Sequence, residues 1–107
     1  MTTASIISSC ETAFSVPAGS ILGKSMLRRI AHARACAGVL AMHRRNGRKL
    51  WEVAADFGSP VEDKYQRHTA AQRMSNWKTR CEKYVQYQEF QESIIRACQI
   101  LNAAGKT

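Results

Sequence analysis

Residues 49–80 read KLWEVAADFGSPVEDKYQRHTAAQRMSNWKTR, and this stretch decides the fold. Leu50, Val53, Ala54 and Phe57 stand at i, i+3, i+4 and i+7, which puts one apolar stripe on a short helix from Lys49 to Phe57. Gly58 follows where helix C-termini favour glycine, because a left-handed backbone costs it no Cβ clash. Ser59, Pro60 and Glu62 come next: an oxygen for a free helical N–H, a proline suited to the first helical position, and a carboxylate able to reach back. A second helix is therefore expected within about three residues, the turn length of a helix–turn–helix unit. Downstream, Ala70, Met74, Trp77, Cys81 and Tyr84 form the apolar stripe of that second helix. Projected backwards, the stripe lands on Asp63, Gln66 and Arg67, which are not core residues. The front of the second helix has no apolar reason for burial and is expected to project, as the reading end of a recognition helix does.

Outward from this unit, helical spacing recurs. Ile6, Ile7, Cys10, Ala13 and Phe14 share a face, predicting a first helix over residues 3–15. Val16–Gly23 holds Pro17, Gly19 and Gly23 and reads as a loop packing Ile21 and Leu22 inward. Lys24–Arg29 is compatible with one helical turn or a basic loop. Ile30, Ala33, Ala37, Leu40 and Ala41 predict a helix over Ile30–Arg45, ended by Asn46-Gly47. A break is expected around Tyr84–Tyr87. A last helix then carries Phe90, Ile94, Ile95, Cys98 and Leu101 before residues 103–107 fray. Strand signals and internal repeats are lacking, so the expected fold is a single all-α domain of five to six helices containing a helix–turn–helix.

Charge narrows the partner. Lys and Arg number 16 against 8 Asp and Glu, a net charge of +8, which favours an anionic partner and most often nucleic acid. The eight basic residues from Lys24 to Lys49 have no acidic residue among them, and phosphate contacts are the expected use of that run. No apolar run is long enough for a membrane span, and MTTASIISSC lacks the basic flank and apolar core of a signal peptide. A cytoplasmic protein, associated with the nucleoid when bound, is expected. Cys10, Cys36, Cys81 and Cys98 are scattered among helical apolar positions and read as reduced, buried thiols.

The order of features resembles the C-terminal DNA-binding domain of the bacterial replication initiator DnaA, over roughly residues 5–101. ILGKSMLRRIAHAR matches that family's basic loop, which follows a helix ending in an aromatic. Leu50-Trp51-Glu52-Val53-Ala54-Ala55-Asp56-Phe57-Gly58 matches its L-x-E-I/V-x-x-x-F-G piece. Gln66-Arg67-His68-Thr69-Ala70 stands where the family has G-R-D-H-T-T, with Arg67 for the aspartate and Ala70 for the second threonine. Extra residues within Ser59–Tyr65 separate these two pieces. The resemblance implies sequence-specific binding of double-stranded DNA, without enzymatic activity and without a cofactor or metal. It implies base reading in the major groove by His68 and Thr69 and minor-groove insertion by Arg28. Detached domains of this type occur in bacterial regulators, including activators of phage-like gene transfer agents. Transcription or replication control, beside the corresponding machinery, is the expected setting.

Residue chemistry extends the candidate set. Arg67 can pair with guanine O6 and N7 where an aspartate would accept from cytosine, so the preferred site should differ from the initiator's. Arg28, Arg29 and Lys24 have the character of a minor-groove arm or phosphate clamp. Arg44, Arg45, Arg48 and Lys49 surround the start of the first helix of the unit, and Lys64 the front of the second. Other chemistry fits poorly. Ala18–Ser25 matches a relaxed phosphate-loop pattern, yet no strand precedes it. His32 and Cys36 supply half a metal site without the other half. Glu62 and Asp63 are adjacent and point different ways on a helix, which disfavours paired acid–base catalysis. Trp51 and Trp77 read as core. The competing function is a helical protein–protein interaction module that keeps the fold without reading bases.

Overall fold

The computed structural model describes residues 2–25 and 27–105, in five α-helices. These are α1 (Thr3–Ala13), α2 (Arg28–His43), α3 (Leu50–Asp56), α4 (Lys64–Tyr84) and α5 (Gln88–Gly105), with no strand among the described residues. The all-α expectation holds. The stripe residues explain why: Ile6, Ile7, Cys10, Ala13 and Phe14 of the α1 face are all buried, as are Ile30, Ala33, Ala37, Leu40 and Ala41 of α2. Val53, Ala54, Phe57, Ala70, Met74, Trp77 and Cys81 complete the core from the α3–α4 unit.

The helices pack as two pairs across α2. α4 lies on α2 and α3, while α5 lies on α1, and α1 in turn contacts α2. The α2–α4 contact is close because Gly38 faces Trp77: a Cβ there would sit 2.3 Å from the indole Cε3. Phe57 meets the same indole edge-on at 5.0 Å, which ties α3 to this seam. At 21 residues α4 spans about 31 Å, most of the longest molecular dimension of 37 Å.

Several boundaries and faces depart from expectation. Leu22 is 54% exposed rather than inward; Ile21 enters the core from its loop and Val16 packs against it. That loop is instead held by polar groups. Buried Glu11 accepts from the Ile21 N–H at 3.3 Å. Buried Arg34 donates from Nε to the Ile21 carbonyl and from Nη2 to those of Gly23 and Ser25, at 2.9 to 3.1 Å. α2 begins at Arg28, so Lys24 and Ser25 remain loop; Met26 lies outside the described residues. On α5, Ile95 is exposed and Ala97 is core, because Phe90, Ala97 and Leu101 stand at steps of seven and four residues along the face turned to α1. α5 continues through Gly105; Lys106 and Thr107 lie outside the described residues.

The largest departure is the turn of the α3–α4 unit. α3 ends as predicted, with Gly58 at φ +91°. The Gly58 N–H donates to the Ala55 carbonyl and the Ser59 N–H to that of Ala54, which together close the helix end. α4, however, starts only after Asp63, whose carboxylate accepts from the Gln66 N–H at 2.8 Å while Gln66 Oε1 accepts from the Glu62 N–H. The capping pair is Asp63 with Gln66, not Ser59 with Glu62. Seven residues, 57–63, separate the helices where about three were expected.

Candidate nucleic-acid interface

Because α4 starts at Lys64, its first two turns consist of KYQRHT before the core stripe begins at Ala70. Lys64, Tyr65, Arg67, His68 and Thr69 are all exposed, and Tyr65 is 78% exposed. The front of the helix therefore stands free of the core. Arg67 does not extend straight outward. Its Nε donates to the Val61 carbonyl at 3.0 Å, and its guanidinium lies 4.6 Å from the centre of the Trp51 ring. Trp51 is thus a half-buried platform joining the start of α3 to the first turn of α4, rather than a core residue in the manner of Trp77. Lys49, the residue before α3, is exposed two residues ahead of this platform.

The basic residues preceding α3 divide in two. Arg44 is half-buried and Arg45 exposed, the latter donating to the Met42 carbonyl at 3.0 Å. Arg48 is committed internally: Nη1 lies 3.0 Å from Asp56 Oδ2 and Nη2 donates to the Glu52 carbonyl. Burial would raise the Asp56 carboxyl, but the hydrogen bonds from Arg48 and Thr3 outweigh it and hold the group below its usual value. With the Glu52 carboxylate also 3.8 Å from its Nε, Arg48 faces two internal anions before any phosphate.

Arg28 and Arg29 lie elsewhere, and Lys24 is an exposed loop residue before α2. The Arg28 guanidinium sits 4.8 Å from the centre of the Tyr87 ring, beyond the C-terminal end of α4. Tyr84 to His68 is sixteen residues, or about 24 Å along the helix. Arg28 and Arg29 line a cleft of about 380 Å³ with His32, Arg96, Glu89 and Glu92. Lys64, Arg67, His68 and Thr69 thus occupy the exposed N-terminal end of α4, and Arg28 lies beyond the other end of the same helix. Two arginines in the first turn of α2, with no acidic residue of that turn and no side-chain cap, oppose the helix dipole, and Glu89 and Glu92 of α5 are the carboxylates that share their cleft.

Sequence reasoning missed Arg73 and Arg80, which stand along the α2–α4 seam beside Arg34 of the basic run. Burial, and then Arg80, lower the proton affinity of Arg34; burial, and then Arg34, lower that of Arg73. Arg73 donates to the Ser59 hydroxyl at 2.8 Å and stacks on Trp77 at 4.6 Å. Arg80 is exposed. These three guanidiniums crowd without a carboxylate within ion-pair distance among the described residues. The helical spacing of Arg73 and Arg80, seven apart on one side of the stripe, was the available signal.

The described residues hold no group of three or more His, Cys, Asp or Glu suited to a metal, and His32 instead packs 4.2 Å from the Tyr84 ring centre. No described helix is long and apolar enough to cross a membrane. No family model, curated protein or solved structure matches the chain.

Proposed function

We propose that this protein binds double-stranded DNA sequence-specifically through the α3–α4 unit, as a transcription or replication regulator of the kind its resemblance to the initiator's DNA-binding domain implies. The observation that carries this reading is the free front of α4, basic and uncovered by core, with Arg67 of that front stacked on Trp51 of α3. A helix exposed over two turns next to clustered cations suits entry into a major groove, with flanking phosphates taking the positive charge. The excess of eight positive charges supports an anionic partner over an uncharged one. The seven-residue turn is longer than in common helix–turn–helix units, so the docking angle is this chain's own.

Salt titration of duplex binding tests the proposal. With about five phosphates neutralised, log K falls against log salt with a slope of about −4 to −5. An affinity that does not change with salt, or no duplex binding at low salt, rejects DNA as the partner and leaves the helical protein-interaction reading.

A further inference from the structure

The outward line of α4 is chemically unlike its flanks. Opposite the buried Ala70–Met74–Trp77–Cys81 stripe stand Tyr65, His68, Gln72, Asn76 and Thr79, at steps of three, four, four and three residues. At about 100° per residue these share one ridge, and all five are exposed. From Tyr65 to Thr79 the ridge holds no Lys, Arg, Asp or Glu, and the next position along it, Lys83, closes it in the last turn of α4. To either side it is bordered by cations: Lys64, Arg67 and Lys78 towards α3, Arg73 and Arg80 towards α2. An uncharged ridge between two basic rows matches a DNA groove in cross-section, where base edges form the floor and phosphates the walls.

Resting on the DNA reading above, we infer that Gln72, held by Asn76, reads an adenine in the major groove, and that Arg67 positions α4 rather than reading a base. Gln72 Nε2 donates to Asn76 Oδ1 at 3.4 Å, a contact that orients the Gln72 amide. It leaves Oε1 and a second Nε2 hydrogen for a ligand. Adenine presents the complement, an N6 donor beside the N7 acceptor, and no other base shows that pair in the major groove. Arg67 has its Nε engaged with Val61 and its plane on Trp51, which fixes the α3–α4 angle.

The test is selection of bound duplexes from a random library, with the wild-type chain, Gln72→Ala and Arg67→Ala, at about 50 mM salt. Both side chains are exposed, and helical circular dichroism verifies each fold. The expected wild-type consensus has a required adenine whose replacement by 7-deazaadenine weakens binding roughly ten- to hundredfold. Gln72→Ala loses preference at that position while its affinity for random duplex is unchanged. Arg67→Ala weakens selected and random duplexes by the same factor. A consensus that Gln72→Ala leaves intact, or indifference to 7-deazaadenine at every adenine, overturns the inference while leaving DNA binding standing. Failure of the wild type to retain any duplex overturns both.

Discussion

Arg34 is one of the eight basic residues between Lys24 and Lys49, yet it is buried and faces carbonyl groups rather than solvent. Its planar fork gathers the carbonyls of Ile21, Gly23 and Ser25, which a lysine's single ammonium cannot do as well. Replacing Arg34 by Met keeps the stem and removes the donors, leaving these carbonyls without partners. The expected loss is about 2–4 kcal/mol in denaturant unfolding, and Arg34→Lys should recover less than half of it. A surface arginine would cost less than about 0.5 kcal/mol, so the measurement distinguishes the two roles. The clue lay in register: Arg34 follows Ile30 by four and precedes Ala37 by three, squarely on the apolar face of α2. A charge count along the chain ignores register, which is why the run from Lys24 to Lys49 overstated the free cations. Arg48 illustrates the same limit, since its partner Asp56 lies at the far end of a short helix, eight residues along the chain.

At the level of elements, the hydrophobic spacing made all five helices legible because each buries one face, and burial is what the spacing encodes. The start of α4 was misplaced because two capping signatures compete within five residues. Ser59-Pro60-x-Glu62 and Asp63-x-x-Gln66 both satisfy local rules, and tertiary contacts choose between them. Ser59 is taken by Arg73 from α4 itself, which leaves Asp63 to cap. The α2–α4 contact was equally hidden, since Gly38 inside an alanine-rich helix reads only as a weak helix former. Its value appears once Trp77 is opposite. Gly38→Ala gains about 1 kcal/mol of helix propensity but forces a methyl into a buried indole at 2.3 Å. Overpacking in a closed core costs about 1–3 kcal/mol, and Trp77, 4% exposed, has little room to yield. The variant should therefore be less stable by up to about 2 kcal/mol in thermal or urea unfolding, with changed tryptophan fluorescence. A more stable Gly38→Ala protein would mean that the helices do not meet this closely.

Across the whole molecule, α2, α4 and α5 meet at His32. Its ring lies 4.2 Å from the centre of Tyr84, 5.4 Å from Phe90 and 6.3 Å from Tyr87. Burial among these rings lowers its proton affinity; Arg28 lowers it further, and Glu89 opposes both. The folded pKa is thus below the usual 6.5, so between the two values the unfolded chain binds more protons than the folded one. Stability from this group is complete above about pH 6.5 and falls as pH drops towards the folded value. Asp56 contributes a separate loss at lower pH: its folded pKa is below 3.8, so its stabilisation fades only as pH falls through the acid carboxylate range. The interval from pH 7.5 to 5 therefore isolates the junction from the Arg48–Asp56 pair. Denaturant midpoints measured across it should decline towards pH 5 in the wild type. In His32→Phe, which keeps an aromatic against Tyr84 and Phe90 but cannot accept a proton, that part of the decline should vanish. The same junction carries Arg28 on Tyr87, so protonation at His32 would place a second cation beside the guanidinium and loosen the end of α4 farthest from its reading front. Identical midpoint-versus-pH curves for the wild type and His32→Phe would exclude His32 as the source and with it the coupling of the three helices through this ring.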